Sequence, residues 1–245
     1  MLRRSILSLL LLALAGCSDD PPLALDASLP SADVAADVAL PDATPDVAPP
    51  PDAAVAPLRI IVGPDDRGAS LLAAIAAAQR SVHMTMYLLS SREVLDALVA
   101  ARRRGVEVQV VLNRTIPGGA AVNMPAYDAL TAAGAEVHWA PSSFDFTHEK
   151  CVILDGAEAW IMTMNATAAG LATNREFLAV DRDPVDVRDA EAIFRADFAG
   201  TALPTYTGRL LLAPVNAQRT MVSLVLSATR TLDIEAESFE DRMTA

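Results

Sequence analysis

Two side chains that can act on a phosphodiester lie two positions apart in residues 148–155, which read His-Glu-Lys-Cys-Val-Ile-Leu-Asp. The imidazole of His148 can attack phosphorus, and the ammonium of Lys150 can hold a phosphate oxygen while negative charge gathers on it. Side chains at positions i and i+2 of a strand point to the same face. The spacing therefore predicts that one strand presents both groups for attack on a phosphodiester.

The elements that must position this pair alternate between strand and helix patterns. Strands are predicted at 58–62, 82–88, 106–112 and 135–139, and helices at 69–80, from a Ser90–Glu93 capping box to Arg104, and at 125–133. Then follow paired strands at 150–154 and 159–163 around a turn at Asp155-Gly156, a strand at 175–180, and a helix capped by Asp183 with Pro184 in its first position. This order predicts an α/β fold in which helices flank a mixed central sheet.

A wider set of polar residues extends the pattern, namely His148, Lys150, Asp155, Asn165 and Glu176. This set resembles one half-site of the phospholipase D superfamily, and the resemblance covers about residues 58–200. It implies a phospholipase D-like fold and a hydrolase that cleaves phosphodiesters without a metal or cofactor. No cluster of metal ligands is visible in the sequence.

The resemblance also implies a role for each residue. His148 attacks phosphorus to give a phosphohistidine, and Lys150 and Asn165 bind the phosphate. Glu176 is the local candidate for binding a ring nitrogen, although in this superfamily the acidic partner often comes from the other half. Asp155 belongs to the motif, but we expect it mainly to support the strand turn.

The chain departs from the family pattern before Asn165. The family usually carries Gly-Ser at the positions that Met162 and Thr163 occupy here. Thr163 keeps the hydroxyl, whereas the larger Met162 is expected to crowd the phosphate.

An internal repeat is visible when residues 209–237 are laid over residues 59–87 without gaps. Pro64 then meets Pro214, and both copies read strand, helix, strand. We therefore predict a complete half-domain at 58–205 and the start of a second, truncated repeat at 206–245. The superfamily site takes two motifs, one to attack and one to protonate the leaving alcohol. A homodimer or a further half is expected to complete it.

The first 57 residues predict export. Residues 1–17 hold Arg3 and Arg4, an apolar run and small residues before Cys17, and they resemble a lipobox signal of bacterial lipoproteins. The resemblance implies cleavage before Cys17 and lipid attached to it. Residues 18–57 are rich in Pro, Ala and Asp without Lys or Arg, which predicts a disordered tether. We expect a lipid-anchored protein of the bacterial cell envelope, with the outer membrane favoured.

The charge of the chain favours one class of substrate over another. The formal net charge is −12, and residues beyond the tether remain acidic in sum. A domain without basic excess is a poor electrostatic match for nucleic acid. We therefore expect a phospholipid substrate, whose headgroup is hydrolysed or transferred to another alcohol. Two alternatives stay open: an endonuclease of the same superfamily that acts as a dimer, and a catalytically inactive surface lipoprotein that binds lipid.

Other reactive or aromatic residues favour structural roles. His83 and His138 are expected to be structural, and Cys151 to be a buried small hydrophobe that faces away from His148. Arg102, Arg103 and Arg104 are expected to close a helix, where cations favour the helix dipole. Phe144 and Phe146 are expected either to wall the entrance to the site or to pack against the core.

Overall fold

The computed structural model describes residues 57–201, 203 and 206–236. Its strands are β1 (Leu58–Val62), β2 (Ser81–Met86), β3 (Glu107–Leu112), β4 (Glu136–Trp139), β5 (Lys150–Leu154), β6 (Glu158–Met162) and β7 (Phe177–Asp181). Its helices are α1 (Ala69–Ala77), α2 (Arg92–Arg103), α3 (Met124–Ala132), α4 (Ala168–Ala172), α5 (Pro184–Ala199) and α6 (Ala217–Leu226). The predicted signal segment, the lipidation at Cys17 and all of the tether except Pro57 fall outside the described residues.

The seven strands form one sheet in the order β1-β7-β6-β5-β2-β3-β4. β2, β3 and β4 are parallel and are joined by crossover helices, whereas the other neighbouring strands pair antiparallel. This arrangement confirms the predicted mixed sheet flanked by helices. Met86 at the end of β2 pairs with Lys150 at the start of β5, so the functional pair begins at the edge where the parallel strands end.

Two apolar layers cover the sheet. The larger one packs the side chains of Val82, Met84 and Val152 against residues of α1, α2 and α3. On the opposite face, α5 brings Phe194 against Cys151. Cys151 is 4% exposed, so it is the buried small hydrophobe that the sequence predicts. Alternate residues of β5 therefore belong to different layers, which separates Cys151 from Lys150.

Helix ends follow their capping residues, with one correction. Asp183 caps α5 as predicted, because its carboxylate accepts a hydrogen bond from the amide of Val185. The predicted cap at Ser90 is wrong, since α2 is capped by Ser91, whose hydroxyl accepts from the amide of Val94. The amides of Ser90 and Ser91 both bond to the carbonyl of Ala166, and this tertiary contact holds Ser90 outside the helix.

The predicted second repeat is only partly formed in the described residues. Its helix is present as α6, but no strand is assigned at 206–236 within the described part of the chain. Arg209 forms ion pairs with Asp183 and Asp186 at the start of α5. The segment that holds Arg209 therefore packs on the half-domain that precedes it. A strand needs a neighbour to pair with, and the predicted repeat strands lack one among the described residues.

No helix in residues 57–201, 203 and 206–236 has both the length and the apolar character needed to cross a membrane.

Candidate active site

The candidate nucleophile and the ammonium lie at the start of β5. Lys150 is 3% exposed, and its Nζ donates a hydrogen bond of 2.7 Å to the backbone carbonyl of His148. The strand is anchored there because the amide of Tyr87 donates to the carbonyl of Glu149 over 3.0 Å. His148, the residue directly before Glu149, is half-buried. The backbone therefore holds both functional side chains at one edge of the sheet.

Aromatic rings surround this pair. The ring of Tyr87 lies 4.3 Å from the His148 ring in an edge-type contact, and the Lys150 Nζ lies 5.0 Å from its centroid. Phe146 is near both, at 6.1 Å from Tyr87 and 6.3 Å from His148. Phe146 thus contributes to the wall of the site, while Phe144 is 43% exposed. The rings remove water from one side of the imidazole.

This environment sets the charge of His148. Burial, followed by the nearby Lys150 ammonium, lowers the pKa of His148 to about 4. At neutral pH the imidazole is therefore uncharged and has a nucleophilic lone pair. The pair thus places an imidazole with a lowered pKa beside a cation.

Among the buried polar atoms that have no hydrogen-bond partner in the described residues are Nδ1 of His148, Oγ1 of the adjacent Thr147 and Oδ1 of Asn165. Asn165 follows β6, and its loop is tied to the end of β2 through the bridge between Leu89 and Ala166. The predicted residues His148, Lys150 and Asn165 thus reach the same edge of the sheet.

Gly170 shapes the loop that carries Asn165. A Cβ added at Gly170 would collide with the backbone carbonyl of Asn165, so only glycine permits this approach. The helix α4 that contains Gly170 is missing from the sequence prediction. Its signal is the cap at Thr167, whose hydroxyl accepts from the amide of Gly170 over 3.1 Å.

Glu176, the local candidate for binding a ring nitrogen, shows no hydrogen bond to His148 among the described residues. The Glu176 carboxylate accepts hydrogen bonds from Thr163 Oγ1 at 2.6 Å and from Asn174 Nδ2 at 3.2 Å. It is held there because Thr163 also accepts from the amide of Phe177, at 2.9 Å. Glu176 lies at the start of β7, on the edge of the sheet that carries the candidate site.

Met162 was expected to crowd the phosphate, but its side chain packs elsewhere. It is fully buried within the larger apolar layer, where β6 pairs it with Leu178 of β7. Its replacement of glycine therefore adds to the core.

Asp155 is placed away from the site, so its inclusion among the catalytic residues is corrected. It follows the last residue of β5, about 17 Å along the strand from Lys150. Its carboxylate accepts from the amides of Gln79, Arg80 and Ser81 at 2.7–3.2 Å. Burial raises the pKa of Asp155, but these amide hydrogen bonds outweigh it and the pKa is lowered. Asp155 thus supports the turn after β5, which is the main role that we expected for it.

A buried amide that the sequence analysis missed organises the loops beside the site. Asn123 is 1% exposed; its Oδ1 accepts from the amide of Leu89, and its Nδ2 donates to the carbonyls of Tyr87 and Asn113. Asn113 Oδ1 in turn accepts from the amide of Thr147, next to His148. The available signal was an asparagine directly after a strand and another directly before a helix.

The remaining histidines are structural, as predicted. His83 is 3% exposed and lies 2.9 Å from both Glu107 and Glu191. His138 stacks on Phe198, with ring centroids 4.0 Å apart. Of the three arginines that close α2, Arg104 donates to the carbonyls of Ile75 and Ala78, and Arg102 to that of Gly134.

Glu149 lies between the two functional residues in sequence but belongs to the opposite side of β5. Burial and the carboxylate of Asp197 raise the pKa of Glu149 to about 8, and burial raises that of Asp197 to about 6. Burial and Asp197 thus favour the protonated, uncharged form of Glu149.

Comparisons with known proteins place residues 71–198 in a known family. Residues 71–198, just over half of the chain, match the family described as "Cardiolipin synthase, PLD-like domain". The mitochondrial cardiolipin hydrolase of Danio rerio is 29% identical over 127 residues, or 51% of this chain and 53% of that protein. Cardiolipin synthase A of Escherichia coli O157:H7 is 30% identical over 152 residues, or 54% of this chain and 30% of that protein. The chain thus spans about half the length of the first relative and less of the second.

The fold is also shared with a solved structure. Nuc from Salmonella typhimurium, a phospholipase D family member, has a TM-score of 0.53 and 23% identity, covering 59% of this chain and 95% of that chain. The shared sheet and the match over residues 71–198 lead to one conclusion. The chain belongs to the phospholipase D superfamily through its PLD-like domain.

Proposed function

We propose that this chain is a phosphodiesterase of the phospholipase D type that acts on phospholipid headgroups. The observation that carries the proposal is the half-buried imidazole of His148 beside the buried ammonium of Lys150 at the start of β5, an environment that lowers the pKa of His148. This combination suits attack on a phosphate ester, because the nucleophile needs no prior deprotonation and the ammonium offsets the developing charge.

In the proposed reaction, Nε2 of His148 attacks phosphorus, since Nδ1 is buried. A nitrogen–phosphorus bond forms, the bond from phosphorus to the leaving alcohol breaks, and the alcohol takes up a proton. Water then attacks the phosphohistidine and returns the histidine, or a second alcohol does so and gives a transferred product. Lys150 and Asn165 hold the phosphate oxygens during both steps.

The proton for the leaving alcohol requires a second acid. We assign it to a second histidine of the same kind, supplied by another copy of this chain or by a further repeat. The same partner would supply an acceptor for Nδ1 of His148, which Glu176 of this chain does not provide.

Phospholipid is the favoured substrate for two reasons. The relatives with 29% and 30% identity are named as a cardiolipin hydrolase and a cardiolipin synthase. The net charge of −12 opposes strong binding to a nucleic acid backbone. A phosphodiester between glycerol groups is therefore the first substrate to test.

The proposed location is the bacterial cell envelope, with lipid on Cys17 and residues 18–57 as the tether. Export with a bilayer anchor would bring the site to its substrate. Labelling cells with a radioactive fatty acid tests this: the wild-type chain should take up label, and Cys17→Ser should not. Equal labelling of both would contradict the anchor.

The activity test uses the full chain with bis(p-nitrophenyl) phosphate and, separately, with vesicles that contain cardiolipin. Wild type should hydrolyse both, and His148→Gln should lose at least about a hundredfold in kcat/KM. His138→Gln is the matched control, because its ring stacks on Phe198 away from the site.

Three results would point elsewhere. Full activity in His148→Gln would exclude the phosphohistidine route. Salt-sensitive cleavage of plasmid DNA without vesicle turnover would indicate the endonuclease alternative. Vesicle binding by a folded protein without turnover of any substrate would indicate an inactive lipid-binding lipoprotein.

A further inference from the structure

Tyr87 contacts both functional side chains of β5. Its ring lies 4.3 Å from the His148 ring at an interplanar angle of 65°, and the Lys150 Nζ lies 5.0 Å from its centroid. The residue is 6% exposed, so these contacts are shielded from water. One ring therefore borders the nucleophile and the ammonium at the same time.

The backbone of Tyr87 is fixed on both sides. Its amide donates to the carbonyl of Glu149, which lies between His148 and Lys150 in sequence, over 3.0 Å. Its carbonyl accepts from Nδ2 of Asn123 over 2.7 Å. The backbone that carries the Tyr87 ring is thus held relative to β5 by hydrogen bonds to Glu149 and Asn123.

Resting on the proposed function, we infer that Tyr87 is a positioning residue whose ring sets the relative placement of His148 and Lys150. Contact with the Tyr87 ring restricts rotation of the His148 imidazole, and the π-face of the same ring attracts the Lys150 ammonium. Removing the ring would let water reach the imidazole and would release the ammonium from its fixed position.

The charge state of His148 reports on this placement. Burial is the first cause of its lowered pKa, and Lys150 is the charged group that adds to it. Glu149 lies on the opposite side of β5, and Phe146 is uncharged. Loss of the Tyr87 ring should therefore raise the pKa of His148 toward its ordinary value, because water returns and the cation is less constrained.

The test is an NMR titration of the full chain, which holds three histidines, His83, His138 and His148. His148→Gln assigns the signal of interest by its disappearance. Wild type and Tyr87→Phe should titrate alike, whereas in Tyr87→Leu the pKa of His148 should rise by about one unit or more. In the same variants, kcat/KM should stay within about twofold for Tyr87→Phe and fall at least about tenfold for Tyr87→Leu.

Phe194→Leu is the matched control, because Phe194 is a buried ring on the opposite face of the sheet. It should lower thermal stability without moving the His148 titration. An unchanged titration in Tyr87→Leu would overturn the inference, as would an equal shift in Phe194→Leu or in Tyr87→Phe. The titration needs no turnover, so an inactive wild-type protein would contradict the proposed function while still testing Tyr87.

Discussion

The ammonium of Lys150 turns back along its own strand and donates a 2.7 Å hydrogen bond to the carbonyl of His148. The cation thus lies close to the candidate nucleophile, where it also lowers the pKa of the imidazole. An incoming phosphate would meet the cation and the lone pair together. In the proposed reaction, electrostatic stabilisation and the nucleophile would therefore both come from residues 148–150, at the start of β5.

Replacing Lys150 with methionine should change both properties. Without the cation, kcat/KM for a chromogenic phosphodiester should fall by roughly 10²–10³, because charge in the transition state loses its partner. The pKa of His148 should rise, although burial would keep it below the ordinary value. NMR titration checks the shift. An unchanged His148 pKa in Lys150→Met would contradict the electrostatic coupling, and Arg103→Met on the exposed end of α2 serves as the control.

Asp155→Ala should destabilise the fold without a direct effect on the chemistry. The variant loses the acceptor for the amides of Gln79, Arg80 and Ser81, at a cost of about 1–2 kcal/mol in the free energy of unfolding. The folded pKa is lowered, so the carboxylate contributes stability above its unfolded pKa. That contribution is lost as pH falls through the folded pKa.

Urea unfolding of the Asp155 variant at pH 7 and at pH 3 measures this effect. The difference between wild type and Asp155→Ala should be larger at pH 7. Asp65→Ala, an exposed carboxylate on the loop after β1, is a suitable control. If kcat/KM of the folded variant fell as far as in His148→Gln, Asp155 would have to be returned to the catalytic group.

His83 gives the opposite pH dependence. Burial lowers its pKa, but the hydrogen bonds that its ring donates to the carboxylates of Glu191 and Glu107 outweigh burial, and the pKa is raised. Protonated His83 therefore stabilises the fold below its unfolded pKa, and this stability is lost as pH rises through the folded pKa. The free energy of unfolding should fall as the pH rises from the unfolded pKa of His83 through its higher folded pKa in wild type, and it should fall less in His83→Gln. Equal pH dependence in the two proteins would refute this linkage.

Asn123→Ala should loosen the loops beside the site. The substitution leaves the amide of Leu89 and the carbonyls of Tyr87 and Asn113 without their buried partner. We expect a loss of about 2–4 kcal/mol in the free energy of unfolding, because buried groups become unsatisfied. Gln218→Ala, an exposed amide in α6, should cost little. Thermal unfolding compares the two, and an equally small effect would show that Asn123 does not organise these loops.

Local sequence patterns were sufficient to predict that the strands of the sheet exist. β1 and β5 begin and end at their predicted residues, and Asp183 and Pro184 mark the start of α5 as expected. These elements rest on apolar alternation and capping chemistry, which are local properties of the chain. The period of two was applied to His148 and Lys150 as well, but β5 begins at Lys150, and His148 lies just before it.

Tertiary contacts account for the differences. Ser91 replaces Ser90 as the cap because both amides bind the carbonyl of Ala166, which is distant in sequence. The Glu176 carboxylate accepts hydrogen bonds from Thr163 and Asn174, and these contacts depend on how β6 and β7 pair. Strands at 206–236 were predicted from a repeat, but strand formation depends on a neighbour that sequence similarity alone does not supply.

Residues 114–122 form a largely exposed loop whose two ends are held by Asn113 and Asn123. The buried hydrogen bonds lie at the ends, and the segment between them makes few contacts with the scaffold. Exchange or lengthening of this segment should therefore leave the sheet and the His148 strand in place, because loop closure costs grow only slowly with length. For protein engineering, residues 114–122 are therefore a segment that could be exchanged beside the candidate site while the sheet stays unchanged.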